Sequence, residues 1–302
     1  MAEGYTPVMP SSYHIGAARF EADSLAPGLY LVATPIGNLA DITVRALATL
    51  ASAETVLCED TRTSSKLMAR YGIKARLEPY HEHNAAKVRP HIMERLKAGA
   101  AIALISDAGT PLISDPGYRL VAEAVATGIV VTTCPGPSAV MAGLAIAGLP
   151  TDRFLFLGFL PAKAGERQRL FEEVKAIRAT LVFFESPHRI VETLAEMHTA
   201  LPGRAVCLTR ELTKLHEEAI RGSCADVGAA LAARPAVKGE ITLILGLPPE
   251  QSHAATDADV EEAITAALEA MPASKAAAEV AKRFGLAKAN VYAQILARKS
   301  DG

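Results

Sequence analysis

Short apolar segments alternate with helix-like segments along most of this chain, beginning at Gly28. In the first half the strand-like segments are 29–33, 55–58, 102–105 and 129–132. The segments between them repeat apolar residues at helical spacing. Alternation of this kind favours an α/β fold in which parallel strands form a doubly wound sheet.

The same alternation continues after Gly148-Leu149-Pro150, with strand candidates at 154–157, 180–184, 205–208 and 241–245. A Pro-Pro pair at 248–249 closes this second set of strands. We therefore predict two α/β domains with a ligand cleft between them, followed by a small helical module.

The predicted boundaries divide the chain into five parts. They are a mostly disordered extension over 1–27, α/β domains over 28–149 and 150–249, a linker over 250–256 and an alanine-rich, helix-turn-helix-like tail over 257–302. The extension is predicted because its residues mix Gly, Pro and Ser with isolated apolar side chains.

Net charge, cysteine spacing and the length of apolar runs limit the partners and locations that this chain can have. The 302 residues carry a net charge of −2, so any nucleic-acid partner must be met by local basic patches. The four cysteines form no C-x-x-C pair, which gives no zinc signature and favours a reducing, cytoplasmic location. The longest uncharged apolar run, 139–149, is too short to cross a bilayer, so no membrane partner is expected.

A long polar loop, 106–117, follows the strand-like segment at 102–105. It holds two Gly, two Pro, two Asp and two Ser residues, and it is about twice the usual length of a strand-to-helix connection. Ligands of open α/β sheets bind at the carboxyl ends of the strands. We therefore interpret this loop as part of a binding site rather than as an ordinary connection.

Other polar clusters also fall at predicted strand ends. They are 34–43, 58–62 and 135–139 in the first domain, and 185–189, 209–214 and 238–240 in the second. Because clusters from both domains lie at strand ends, a cleft between the domains is the natural site.

Several common sites are missing or weak. The sequence has no G-x-G-x-x-G loop, no P-loop and no G-x-S-x-G motif, which argues against nicotinamide, nucleotide-hydrolysis and serine-hydrolase chemistry. His81-Glu82-His83 lacks a third ligand at suitable spacing, so a solvated loop is favoured and no metal is predicted. Basic residues cluster over 163–178 and 282–299, either as solvated helix faces or as contacts to a nucleic-acid backbone.

These motifs together resemble the ribosomal RNA small subunit methyltransferase I family, within the tetrapyrrole methylase superfamily. The matching stretches are 34–43, 58–62, 106–117, 135–139, 158–161, 185–189, 210–214 and 238–240. The tail resembles the helix-turn-helix-like module of the family more loosely.

The resemblance implies a homodimer that binds S-adenosylmethionine between its domains and methylates the ribose 2′-hydroxyl of a cytidine in the decoding region of 16S ribosomal RNA. The small ribosomal subunit is then the expected substrate. Matched by motif, the cofactor-binding residues are Pro35, Ser106, Asp107, Ala108, Gly109, Thr110, Ile113, Ser114, Ser138, Ala139, Phe184 and Gly239.

A ribose hydroxyl needs a base to remove its proton. The candidates are Glu59, Asp60, Asp107, Glu185, His188 and Glu211, and our hypothesis is Glu185, with Asp107 and Glu59 as further catalytic candidates. The expected RNA contacts are Arg62, Arg189, Arg210 and Lys214, together with Lys282 and Arg283 in the tail. Two alternatives remain open here, namely methylation of a tetrapyrrole and a non-catalytic RNA-binding role.

Overall fold

The computed structural model describes residues 11–249 and 257–300. The predicted linker, the first ten residues of the predicted extension and the last two residues of the tail lie outside them. The chain divides into two compact units, Met1–Pro248 and Pro249–Gly302.

The strands all belong to the larger unit. They are β1 (Ser12–Ile15), β2 (Ala18–Glu21), β3 (Gly28–Val32), β4 (Thr55–Cys58), β5 (Leu77–Pro79), β6 (Ala101–Leu104), β7 (Val131–Cys134), β8 (Phe154–Phe159), β9 (Thr180–Glu185), β10 (Ala205–Arg210), β11 (Glu218–Ser223) and β12 (Ile241–Leu245).

The helices connect these strands and form the smaller unit. They are α1 (Val44–Ser52), α2 (Thr61–Arg70), α3 (Glu82–Lys97), α4 (Tyr118–Ala126), α5 (Ala139–Ala147), α6 (Ala164–Val174), α7 (Ile190–Ala200), α8 (Cys224–Ala232), α9 (Asp257–Ala270), α10 (Ala273–Phe284) and α11 (Lys288–Ser300).

The first sheet is fully parallel, in the order β5-β4-β6-β3-β7. Its strands are continuous apolar runs because helices cover both faces. Helices α1 and α2 bury side chains such as Leu47 and Leu67 against one face, and α3 and α4 bury Ile92 and Leu120 against the other. The predicted parallel α/β architecture is confirmed.

The second sheet is mixed, in the order β11-β10-β12-β9-β8. Only β8 and β9 pair in parallel, and the other neighbours are antiparallel. The core on one face of this sheet is built from residues such as Phe171, Leu194 and Val227, on α6, α7 and α8. The four predicted strands are present, while β11 escaped prediction because Glu218–Ser223 has too few apolar residues to stand out.

Helix α5 packs on the second sheet although the predicted boundary at residue 149 placed it in the first domain. Its buried residues Val140 and Leu144 share a core cluster with Val182, Cys207 and Ile244. The guanidinium of Arg221 on β11 donates to the carbonyl of Ala147 at 3.2 Å. Judged by its packing, the chain therefore passes from the first sheet to the second before α5 and not after it.

Residues 12–21 form an antiparallel hairpin, so the expectation of disorder is wrong for this part of the N-terminal extension. Gly16 takes φ +61° in the two-residue turn, as short hairpin turns require. Tyr13 is buried in the core beside α1 and α2, and the His14 N–H donates to the Tyr71 carbonyl at 2.7 Å. The buried ring of Tyr13 and this hydrogen bond hold the hairpin on the domain, although the segment has few apolar residues.

The smaller unit contains α9, α10 and α11 around its own apolar cluster, which includes Ile264, Val280 and Ile295. Helix α10 begins after Pro272, so Ser274 lies in its first turn. No helix among the described residues has the length and apolar character needed to cross a membrane.

Candidate functional site

A cavity of about 470 Å³ lies between the two sheets of the larger unit. Its lining residues come from both sides, namely Ile36, 107–110, 113–115 and 138–140 on one, and Phe159, 184–187, Leu212 and 239–242 on the other. The cavity therefore lies where polar loops at the strand ends of both predicted domains meet.

The loop after β6 forms one wall of the cavity. Thr34 and Gly109 exchange two backbone hydrogen bonds, of 2.9 and 3.0 Å, which hold the loop against the segment after β3. The buried Ser106 hydroxyl lies 3.2 Å from the Ala108 carbonyl and 3.3 Å from the Gly109 carbonyl, and it donates to them. These contacts fix the main chain of 107–110 toward the cavity.

Ten of the twelve predicted cofactor residues line the cavity, from Asp107 in the first domain to Gly239 in the second. Pro35 and Ser106 do not, because both are buried behind the wall. Ile36 takes the lining position next to Pro35. The hydroxyl of Ser106 holds the loop in shape, so Ser106 supports the lining residues from behind.

The N-terminus of α5 reaches the cavity at Ser138. The Ser138 hydroxyl accepts from the Met141 N–H at 3.4 Å and caps the helix. Thr110 donates from its hydroxyl to the Pro137 carbonyl at 3.2 Å, which connects the two loops. A helix N-terminus of this kind favours an anionic group.

Glu185 at the end of β9 also lines the cavity, but its carboxylate is fully buried and both of its oxygens already accept hydrogen bonds from the protein. Its Oε1 accepts from the Ser186 N–H at 2.6 Å and from Arg189 Nη2 at 2.5 Å, and its Oε2 accepts from the Thr193 hydroxyl at 2.7 Å. The carboxylate thus holds the turn 185–189 and the start of α7 in place. His188 on the same turn is exposed.

A group of carboxylates lies on the opposite side, around Asp115. Burial first, and then the negative charges of Glu59 and Asp107, raise the pKa of Asp115 to about 6 against an opposing hydrogen bond from Ser106. Asp107 Oδ1 accepts from the Asp60 N–H at 3.1 Å, which connects this group to the start of α2. Hydrogen bonds from Arg62 to Asp60 lower the pKa of Asp60 to about 2. Asp115 is therefore the carboxyl of the cavity suited to exchange a proton near neutral pH.

Sequence reasoning missed Asp115, although it named other residues of the same loop. The signal was present in the second Asp of Ser114-Asp115-Pro116-Gly117, but two acids in one loop give no ranking from sequence. Phe159 was also missed as a lining residue, and it packs its ring 5.2 Å from that of Phe184.

Glu211, Lys214 and Gly239 form a close contact at the second wall. Lys214 Nζ lies 2.8 Å from Glu211 Oε1 and 3.0 Å from Glu240 Oε2, and the hydrogen bond from Lys214 lowers the pKa of Glu211. Gly239 has φ +94°, and a Cβ there would lie 2.4 Å from Glu211 Cγ. Only glycine fits this position.

Unusual backbone conformations are concentrated in the same two loops. The non-glycine residues with positive φ among the described residues are Leu112, Ser114, Glu211 and Thr213. Such conformations cost about 1–3 kcal/mol each and tend to persist at functional sites. Their presence on both sides of one cavity supports its functional role.

The six predicted RNA contacts have two kinds of environment. Arg62 is 88% exposed, and Lys282 and Arg283 are exposed at the end of α10 in the smaller unit. Arg189, Arg210 and Lys214 are instead partly buried and pair with Glu185, Glu218 and Glu211, respectively. In the predicted basic cluster over 163–178, Arg167 is 1% exposed and bridges Glu192 and Glu196.

Within residues 11–249 and 257–300, no group of three or more His, Cys, Asp or Glu side chains is arranged to hold a metal ion. The four cysteines in this part of the chain are free and buried.

Two protein families match the sequence. The family of Tetrapyrrole (Corrin/Porphyrin) Methylases matches residues 28–228, and the RsmI C-terminal HTH domain matches residues 254–299. Solved structures share the fold at low identity. Diphthine synthase covers 72% of this chain and 89% of its own at 14% identity and a TM-score of 0.57. Uroporphyrin-III-C-methyltransferase from Thermus thermophilus covers 73% and 94% at 20% identity and a TM-score of 0.51. The fold, with its cavity between two sheets, is that of the tetrapyrrole methylase class.

Relatives with much higher identity carry one name, Ribosomal RNA small subunit methyltransferase I. The relative from Mesorhizobium japonicum is 51% identical over 94% of this chain and 97% of its own length. Those from Erythrobacter litoralis and Pseudomonas aeruginosa are 48% and 42% identical over 92% and 90% of this chain, and 98% and 97% of their own lengths. The chain therefore belongs to the ribosomal RNA small subunit methyltransferase I family, and the resemblance found from its motifs is confirmed.

Proposed function

We propose that this protein is an S-adenosylmethionine-dependent methyltransferase that methylates the ribose 2′-hydroxyl of a cytidine in the decoding region of 16S ribosomal RNA, within the small ribosomal subunit. Relatives that match nearly the whole chain carry the name of a ribosomal RNA small subunit methyltransferase. The observation that carries the proposal is the cavity between the sheets, which ten motif-matched residues line. A homodimer and a cytoplasmic location stay predictions.

The cavity fits the cofactor in size and in chemistry. Its volume of about 470 Å³ is within the range of small-molecule sites, roughly 300–1,000 Å³. Ile36, Phe159 and Phe184 offer apolar surface to a purine, and the N-terminus of α5 suits a carboxylate. Gly109 lets the loop pack closely on Ile36 at the cavity, because a Cβ there would lie 3.3 Å from Ile36 Cγ2.

When bound, S-adenosylmethionine supplies a methyl group on a sulfonium centre that is already activated for transfer. The protein must then position the acceptor oxygen in line and remove its proton. The fixed loop 107–110 and the turn held by Glu185 do the positioning, because both are immobilised by the hydrogen bonds described above.

Asp115 is the proton acceptor that the local chemistry favours. Its pKa of about 6 leaves it mostly ionised at neutral pH, yet basic enough to accept a proton as the bond forms. Glu185, the earlier hypothesis, already accepts three hydrogen bonds, one of them from a guanidinium. Both of its oxygens are therefore engaged in holding the turn 185–189 and the start of α7. We therefore assign Glu185 a positioning role and Asp115 the proton transfer.

The test is methyl transfer from labelled S-adenosylmethionine to small ribosomal subunits, with naked 16S ribosomal RNA and a porphyrinoid as parallel substrates. We expect label in the subunits, with the modified ribose mapped by comparison with cells that lack the protein. Labelling of the porphyrinoid would favour tetrapyrrole methylation instead. RNA binding without cofactor binding in a calorimetric titration would favour a non-catalytic role.

A further inference from the structure

Helix α2 continues the positive charge of Arg62, an expected RNA contact, with further cations that neither the sequence clusters nor the proposed mechanism uses. Between Thr61 and Leu77 the chain has five cations and no acid. On α2 itself, Arg62, Lys66 and Arg70 are spaced four residues apart, so they lie along one face of the helix. All three are exposed, while the opposite face buries Leu67 and Met68. We name Arg62, Lys66 and Arg70 the α2 ridge.

The ridge is free to meet a partner. In the part of the chain that the structure describes, Lys66 and Arg70 make no ion pair, and Arg62 pairs only with Asp60, at 2.9 Å. The ridge extends about 12 Å from Arg62 to Arg70, at the α-helical rise of about 1.5 Å per residue. Lys74, beyond the end of the helix, is exposed as well.

The ridge begins at the rim of the cavity. Asp60, the N-cap of α2, donates its backbone N–H to Asp107 of the cavity loop, and the neighbouring Glu59 acts on the charge of Asp115. The charge therefore changes sign along a short path, from carboxylates at the cavity to three cations along α2.

This change of sign matches a polynucleotide. The carboxylates at the cavity repel phosphate but accept a neutral sugar, whereas a row of cations binds consecutive phosphates. An acidic protein partner would be repelled at the cavity end and gains nothing from the spacing of the cations.

We propose that the α2 ridge binds the phosphates that flank the target nucleotide, so that the RNA strand follows α2 and presents one ribose to the cavity. This proposal rests on the proposed function, since it assumes that the substrate is RNA. It adds a surface that contributes binding energy and orientation without taking part in the reaction.

The experiment measures how tightly purified small ribosomal subunits bind, over a series of salt concentrations, for three proteins. They are the wild-type protein, a Lys66→Gln/Arg70→Gln variant and a matched Lys87→Gln/Lys97→Gln variant. Lys87 and Lys97 are exposed on α3, which covers the opposite face of the first sheet. Calorimetric binding of S-adenosylmethionine checks that each variant keeps its cavity.

The slope of log affinity against log salt should become shallower by about 2 for the α2 variant, about 1 for each cation removed. The α3 variant should keep the wild-type slope, and cofactor affinity should be the same in all three. An unchanged slope in the α2 variant, an equal change in both variants, or no salt-dependent binding by the wild-type protein would each overturn the proposal. The proposed function is tested separately by the methyl-transfer assay, and it is wrong if the wild-type protein transfers no methyl group to subunits.

Discussion

At the scale of single residues, the two carboxyl groups of the cavity differ in what surrounds them. Glu185 accepts hydrogen bonds from a backbone N–H, an arginine and a threonine, so both of its oxygens are engaged within the protein. Asp115 is half-buried and faces other negative charges, so its charge is destabilised. Position at a strand end is visible in a sequence, but the direction in which nearby donors point is not, and Glu59, which acts on Asp115, is 56 positions away.

Asp115→Asn should reduce single-turnover methyl transfer by about 10²–10⁴-fold, the usual contribution of a general base, because the amide cannot accept the proton. Cofactor affinity, measured by calorimetry, should change little. The wild-type rate should rise as the pH increases through about 6, where Asp115 loses its proton, and the variant should lack this rise. If the variant kept full activity, Asp115 would not be the general base, and Glu185 would again be the leading candidate.

The same substitution should make the fold more stable at pH 7. The folded-state pKa of Asp115 lies above its ordinary value of 3.8, so its contribution to stability is present below about pH 4 and is lost as the pH rises through about 6. At pH 7 the buried carboxylate is a cost, and Asp115→Asn removes it, for a gain of about 1 kcal/mol after allowing for solvent screening. Urea unfolding at pH 7 and pH 4 measures the effect, and the gain should vanish at pH 4.

Gly239→Ala should weaken cofactor binding, because a Cβ there meets Glu211 and displaces the wall of the cavity. Gly128→Ala is the matched control. Gly128 also has a positive φ, +77°, but nothing lies within 4 Å of its Cβ position. Both variants should lose about 1–2 kcal/mol of stability from backbone strain. Only Gly239→Ala should lose affinity in a calorimetric titration, and equal losses would contradict this account.

At the scale of elements, buried arginines hold the second half together. Arg167 on α6 donates to Glu192 and Glu196 on α7, each at 2.7 Å, and also donates to the carbonyl of Ala162. Among the residues that the structure describes, Arg204 meets no carboxylate and donates to five carbonyls, including those of Ala179 and Gly246. Arg167 thereby joins α6 to α7, and Arg204 joins the chain after α6 to the residue that follows β12.

Arg167→Ala should lower the free energy of unfolding by about 3 kcal/mol, because it leaves the mostly buried carboxylate of Glu196 without its partner, whereas the exposed Glu192 can be solvated. Arg169→Ala, at an exposed position of the same helix, should change it by less than about 0.5 kcal/mol. Chemical denaturation of both variants checks the prediction, and similar values would show that Arg167 contributes no more than a surface cation.

The sequence predicts elements better than it predicts packing partners. The apolar runs of β3, β4 and β6 identify the first sheet because they are buried on both faces. The hairpin at 12–21 and strand β11 escaped because their residues are only partly apolar and depend on neighbours for pairing. The packing of α5 on the second sheet was also missed, since the apolar surface of a helix does not tell which sheet it covers.

At the scale of the whole molecule, the two units have separate apolar cores. The larger unit contains the cavity, and the smaller unit contains the exposed Lys282 and Arg283. Cofactor binding is thus expected to be a property of the larger unit.

Ile264→Ala should destabilise the smaller unit by about 2–5 kcal/mol, since Ile264 is fully buried in its core. Cofactor affinity and the unfolding of the larger unit should stay as in the wild-type protein. Scanning calorimetry with and without S-adenosylmethionine separates the two units. Loss of cofactor affinity in this variant would show that the units are coupled.

The place where α5 is attached determines how the cavity would open. Ser138 and Ala139 line the wall next to Thr110, yet their helix is anchored to the second sheet through Leu144 and Ile244. Because the chain crosses from the first sheet to the second at Pro135-Gly136-Pro137, we expect a rotation of one half against the other to change the backbone there. It separates Thr110 from Pro137 and leaves every residue of α5 with the second half. A ligand that touches both loops joins the halves, so its arrival should slow amide exchange at Gly136, which carries the one backbone N–H of this segment, more than anywhere in the sheets.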